Sequence, residues 1–181
     1  MLAGSLLELL LFSVPSLVYW AVLRRRGAAA SAAIGLRWGR PGDYGFAVLI
    51  MAVMAGFGAA ALRMIPAASL TQRGVSVGAA HTVAGYLGIA VMALAEEMLF
   101  RGLLAGVLIR RLGFWWGNTV QALVFFAPHC LLLLASSALW PILPVQFVAG
   151  WLLGWLRQRS GSIGPAWLAH AGGNILAAVT I

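Results

Sequence analysis

The chain has 181 residues, of which 62% are hydrophobic and only 9% charged, and its mean hydropathy is +0.97. A soluble domain carries about 25% charged residues, so this composition excludes a soluble enzyme, a disordered tail and a nucleic-acid-binding domain. The net charge of +8 comes from twelve arginines and no lysine. They cluster beside apolar runs, as the cytoplasmic flanks of membrane spans do.

A membrane helix needs roughly 17–25 apolar residues. Residues 1–23 supply the first, with Pro15 inside it and Glu8 as its single acid; it stops at Arg24, Arg25 and Arg26. Positive charge after the apolar run, rather than before it, marks an uncleaved anchor and not a signal peptide. A polar linker with Arg37, Arg40, Pro41, Gly42 and Asp43 leads to the second span, 44–62. The third apolar stretch, 79–109, ends at Arg110 and Arg111. Residues 113–118 form a turn carrying Trp115 and Trp116, residue types suited to an interfacial belt. The fourth span is 119–139 and contains Pro128; the fifth is 143–156; the sixth, 165–181, opens on Pro165.

This layout predicts an all-α, polytopic transmembrane bundle of about six helices forming a single membrane domain over 1–181. The loops after spans one, three and five hold nine arginines, and the alternate loops hold only Arg63 and Arg73. The positive-inside rule therefore places both termini outside.

Glu96, Glu97 and Arg101 lie inside the third span, where each charge costs about 2.5–3.5 kcal/mol to insert. Pairing must offset part of that. On an α-helix, residues i and i+4 are about 40° apart, so Glu97 pairs with Arg101. Glu96, about 140° from Arg101, is left to face another surface. Two histidines also occur in apolar helices. Phe125 and His129 share a face of the fourth span, and His170 and Asn174 share a face of the sixth. Pro128 deprives the Val124 carbonyl of its helical donor and opens polar space. Gly172 and Gly173 permit a close approach to the sixth helix. His81 is expected to be interfacial and without a role. Cys130, turned about 100° from its neighbour His129, is a small apolar filler rather than half of a Cys–His dyad.

One carboxylate, two imidazoles and an amide suit general-base activation of water. Glu96 would take the proton, His129 would hold the water or share the proton, and His170 and Asn174 would donate to the oxyanion of an attacked peptide carbonyl. The depths of these residues overlap only if the helices tilt and a cavity opens from the cytoplasmic, arginine-bearing side.

Glu96 to Arg101 reads EExxxR, Phe125 to His129 reads FxxxH, and His170 to Asn174 reads HxxxN. In this order and on separate membrane helices, the set resembles the CPBP family of CAAX prenyl endopeptidase type II enzymes, bacterial Abi proteins and related glutamic intramembrane proteases. The resemblance spans Glu96 to Asn174 and leaves the first two helices outside it. It implies an endopeptidase with no metal and no other cofactor. Glu96 would be its base, His129 the partner of that base, and His170 with Asn174 the oxyanion pair, while Glu97, Arg101 and Phe125 support them. The implied partners are the lipid bilayer and a membrane-associated protein or peptide, with no nucleic acid. The implied location is a prokaryotic plasma membrane with the site reached from the cytoplasm. A substrate could be a prenylated C-terminus, a bacteriocin leader or a C-terminal sorting helix. Two other classes fit part of the pattern: a zinc protease with a His₂Glu ligand set, and a non-proteolytic immunity or transport protein.

Overall fold

The computed structural model describes residues 2–27, 29–70 and 82–179, and all of its regular structure there is helical. In chain order the elements are α1 (Leu2–Arg25), α2 (Ala30–Ala33), α3 (Pro41–Arg63), α4 (Ala67–Leu70) and α5 (Val83–Glu96). A π-helical segment (Glu97–Ala105) then runs into α6 (Gly106–His129). After it come α7 (Leu132–Ala135), a 3₁₀ turn (Ser137–Leu139), α8 (Ile142–Ser160) and α9 (Gly164–Val179). Leu2–Arg25, Pro41–Arg63 and the continuous stretch Val83–Ala135 are each long and apolar enough to cross a bilayer. His81 and Arg73 lie outside the described residues.

Helix α1 is built inside out relative to a soluble helix. Ser5, Ser13 and Ser16 are buried, while Leu6, Leu7, Leu10, Leu11, Val14 and Leu17 are exposed. Small polar residues at helix contacts and leucines facing outward are the pattern lipid imposes. The buried serine face lies along α5 and the π-segment: Ser5 reaches Gly88, and the Ser16 hydroxyl donates to the Met98 carbonyl at 2.6 Å. Helix α3 packs on α8 and α9 through Ala47, Ile50, Leu153, Leu156, Ala166 and Ala169. Met51 fills the gap left by Gly172, so the expected close approach at this glycine is made by α3.

Several sequence-based boundaries shift. The third span does not end at 109: helix continues to Leu112 and breaks only at Gly113 (φ 75°, ψ 171°), a left-handed position that favours glycine. Helix resumes at once with Phe114, so the expected turn over 113–118 shrinks to a single residue. Asn118, expected in a loop, is inside helix and fully buried. The fourth span ends at His129 rather than 139. Pro128 lacks the N–H that would continue the ladder, and the chain proceeds through α7 and the 3₁₀ turn. The linker after α1 is not a free loop either. It forms α2 and tucks Ile34 into the protein with no exposure.

The two ends of the bundle differ in charge. At one end Arg110 donates to the Ala33 carbonyl and the Tyr19 hydroxyl, both at 3.1 Å. Arg157 donates to the Ala32 and Ala33 carbonyls at 3.2 and 3.3 Å, and Arg159 sits 3.5 Å from Asp43. The nine arginines of the sequence analysis thus meet at one end. The opposite end is closed by the apolar contacts of Ile65, Leu139 and Ile142. Both described ends of the chain lie there too: Leu2 is beside Gly88, and Ala178 packs on Ile89.

Candidate active site

Glu96 is the last residue of α5 and Glu97 the first of the π-segment. A π-turn bonds i to i+5, so each residue rotates about 80° instead of the 100° of an α-helix. Over the five residues from Glu96 to Arg101 the offset falls from about 140° to about 40°. Glu96 and Glu97 therefore turn toward the same region, and the full divergence expected from α-helical geometry is not found. The sequence carries no periodicity that would have announced this winding.

The expected ion pair is present. Glu97 Oε1 lies 3.0 Å from Arg101 Nη1, and both side chains are completely buried. Arg101 also stacks 4.3 Å from the centre of the Phe125 ring and donates from Nη2 to the Gly150 carbonyl at 3.4 Å. Gln121 donates to the same carbonyl at 2.9 Å and to Asn118 Oδ1 at 3.0 Å, and Asn118 donates to the Trp151 carbonyl at 3.0 Å. Asn118 and Gln121 were not singled out from sequence. Their three-residue spacing on a helix beside the charged span was the available signal. They tie α6 to α8 through glycines, since a Cβ on Gly154 would collide with both side chains.

His170 is buried and bridges the two glutamates. Its Nδ1–H donates to Glu97 Oε1 at 2.9 Å, and its Nε2 lies 3.7 Å from Glu96 Oε2. The direct contact of Glu96 is thus with His170, while His129 lines the same cavity. His129 Nδ1 donates to the Phe125 carbonyl at 2.9 Å, which orients its Nε2 away from its own helix. The Phe125 ring lies 4.9 Å from the His129 ring and 5.9 Å from that of His170, centre to centre, so Phe125 packs between Arg101 and both imidazoles. Asn174, one turn beyond His170, is half-buried. Cys130 is directed back to the Phe126 carbonyl at 3.8 Å, away from any dyad with His129.

A single cavity of about 390 Å³ brings Glu96, His129, His170 and Asn174 together. Helices α1 and α3, which lie outside the motif pattern, line it through Ser5, Met54 and Leu62. The cavity lies away from the arginine-bearing end. Toward that end the site is backed by the fully buried Glu97, Arg101, Asn118 and Gln121. The lining continues instead to Ser5, Leu62, Leu132 and Ile142 at the opposite end. The direction follows from the chain: about 22 Å of helix separates Phe114, at the arginine end, from His129. Among the described residues, no three His, Cys, Asp or Glu side chains are grouped as ligands for a metal ion.

The inside-out α1 and the long apolar helices define a helical integral membrane protein, with a buried carboxylate–arginine–histidine centre beside a cavity. Comparison with protein families gives the particular group. The model of the type II CAAX prenyl endopeptidase, Rce1-like family matches residues 78–176, more than half the chain and all three motifs. The chain belongs to that family and is a membrane peptidase. Neither the curated proteins nor the solved structures gave a match.

Proposed function

We propose that the protein is a metal-independent glutamic endopeptidase that hydrolyses a peptide bond of a membrane-associated protein or peptide, with Glu96 as its general base. One observation carries this reading. Glu96 Oε2 is buried, has no hydrogen-bond partner among the described residues, and belongs to a side chain that lines the cavity shared with His129, His170 and Asn174. A buried carboxylate oxygen facing a roomy cavity that also holds two imidazoles and an amide is an acceptor for water. Glu97, by contrast, is committed to Arg101 and His170, which makes it a positioning residue.

The proposed step balances simply. Glu96 takes a proton from a water that His129 Nε2 helps to hold, and the hydroxide forms a C–O bond to the peptide carbonyl carbon. The oxyanion accepts from Asn174 Nδ2 and from the His170 ring, which Glu97 holds in place. The C–N bond then breaks, and the proton on Glu96 passes to the leaving amine. The membrane around the site is that of a prokaryotic cell in this reading.

The test is Glu96→Gln, which keeps shape and removes the base. Terminal-peptide mass spectrometry of membranes from wild-type and variant strains should show product termini reduced by about 100-fold or more, the usual reach of a general base. Thermal stability of the detergent-purified variant should stay unchanged. Product termini at wild-type abundance in the variant would overturn the proposal.

A further inference from the structure

Most of the charge at the arginine-bearing end has no counter-charge. The chain contains four acids, Glu8, Asp43, Glu96 and Glu97. Glu96 and Glu97 belong to the buried centre with Arg101 and His170, and Asp43 sits 3.5 Å from Arg159. Glu8 precedes the arginine-bearing end of α1 by about 25 Å of helix.

Within this excess, three arginines converge. Arg110 Nη1 and Arg157 Nη2 donate to the same carbonyl, that of Ala33, at 3.1 and 3.3 Å. Arg110 and Arg37 are the charged groups that face Arg157. Arg37 also lies beside Gly161, at the end of α8. Arg157 is only 7% exposed, and its Nε has no hydrogen-bond partner among the described residues. Arg37 is exposed and makes no hydrogen bond or ion pair among them. A helix C-terminus is worth about half an elementary charge, so the end of α8 offsets little of the three. Burial of Arg157 also weakens the screening of their repulsion by water. An anion is the missing partner.

The surroundings identify its source. Trp38, next to Arg37 in the chain, is 92% exposed, and Trp115 and Trp116 at the same end are exposed too. Trp20 donates to Ser31 Oγ, on the linker that leads to Arg37, at 3.1 Å. Tryptophans of this kind gather at the level of the lipid headgroups. Guanidinium forks match phosphate oxygens, and basic pockets between membrane helices take anionic headgroups.

We infer that Arg37, Arg110 and Arg157 form a binding site for the phosphodiester of an anionic phospholipid. Arg37 and Arg110 offer exposed donors, and Arg157 adds its charge from the buried side. A bound lipid fastens the linker to α6 and α8. A zwitterionic headgroup carries its own cation and neutralises less of the cluster. None of the three arginines lines the cavity of Glu96, so the inference does not depend on the proposed catalysis.

The test follows the thermal midpoint of the detergent-purified full chain during three separate titrations: dioleoylphosphatidylglycerol, dioleoylphosphatidylcholine and inorganic phosphate. Phosphatidylglycerol at 100 times its Kd should raise the midpoint by about 5–11 °C, and phosphatidylcholine by less than half as much. Arg37→Gln should weaken phosphatidylglycerol binding by about fivefold, the worth of one arginine near a charged headgroup. Arg25→Gln removes the same charge from the same end but does not face Arg157, and should leave that binding unchanged. Equal weakening by both variants, or equal stabilisation by both lipids, would overturn the site in favour of diffuse attraction to the surface. Inorganic phosphate matching phosphatidylglycerol would overturn the assignment to lipid. Because Arg37 holds no partner, the lipid-free midpoint of Arg37→Gln should equal that of wild type. If that variant does not fold, native mass spectrometry of the wild-type chain in an equimolar mixture of the two lipids decides. Retention of phosphatidylglycerol in clear excess supports the inference, and equal retention overturns it.

Discussion

Removing Arg101 tests whether the charged residues of the third span act as one unit. Arg101→Met deletes the 3.0 Å pair with Glu97, the stack on Phe125 and the bond to the Gly150 carbonyl. Met roughly preserves the bulk. What remains is Glu97, with no exposure and one partner, His170. Stranding one member of a buried pair costs about 3–5 kcal/mol, a large share of the roughly 5–15 kcal/mol that holds a domain together. At about 2–4 °C per kcal/mol for a chain of this size, the midpoint should fall by about 6–20 °C. Glu97→Gln should also destabilise, because it leaves the Arg101 charge buried. The double variant removes both charges and should recover about 0.5–3 kcal/mol relative to the sum of the singles, the range seen for contacting residues. Thermal unfolding of the detergent-purified variants, followed by loss of the monodisperse size-exclusion peak, measures all three. Single variants within about 2 °C of wild type, or a double variant equal to the sum of its parts, would refute the reasoning.

Other substitutions probe different parts of the same frame. Gly154→Ala places a methyl group against Asn118 and Gln121; overpacking of about 1–3 kcal/mol should lower the midpoint by about 2–12 °C in the same assay. Arg157→Ala frees the Ala32 and Ala33 carbonyls, so a cysteine introduced by Ile34→Cys, unreactive when Arg157 is present, should gain maleimide reactivity by about tenfold or more as local opening becomes easier. Trp167→Phe loses the 2.8 Å bond from the indole N–H to the Ala90 carbonyl, and should cost about 1 kcal/mol in thermal unfolding. His129→Ala should reduce product termini by about tenfold or more without moving the midpoint. A variant that keeps wild-type products would remove His129 from the site.

The parts of the structure that were legible in the sequence are those governed by rules of local spacing. Apolar runs bounded by arginines gave the long helices, and i, i+4 spacing gave the Glu97–Arg101 pair. The same spacing placed Phe125 with His129 and His170 with Asn174. What escaped depended on winding or on partners distant in sequence. Nothing in Glu97–Ala105 distinguishes nine residues of π-helix from α-helix, so the convergence of both glutamates on His170 could not be derived. Gly113 suggests a loop longer than the single residue it is, which would put Asn118 in a turn. The linker after α1 looks polar, yet Arg110 and Arg157, far along the chain, bind its carbonyls and draw Ile34 inside. The placement of the cavity within the bundle is hidden for a related reason. Depths counted along separate helices do not show which end their neighbours fill, and that is decided by α1, α3 and the residues between them.

The π-helical segment has one more consequence, for how the two ends of the molecule communicate. Because helix continues unbroken from Val83 to Leu112, its winding fixes the azimuth of everything after it. Restoring α-helical winding would advance the following stretch by about 20° per residue, about 180° over the nine residues of the segment, and swing Arg110 away from Tyr19 and Ala33. The Ser16 hydroxyl, bound to the Met98 carbonyl inside the segment, acts as a latch on that phase. The glutamates above and the arginine anchor below are thus set by a single angular register, like two keys cut on one shaft. An α1 that lost its latch would disturb both without touching either.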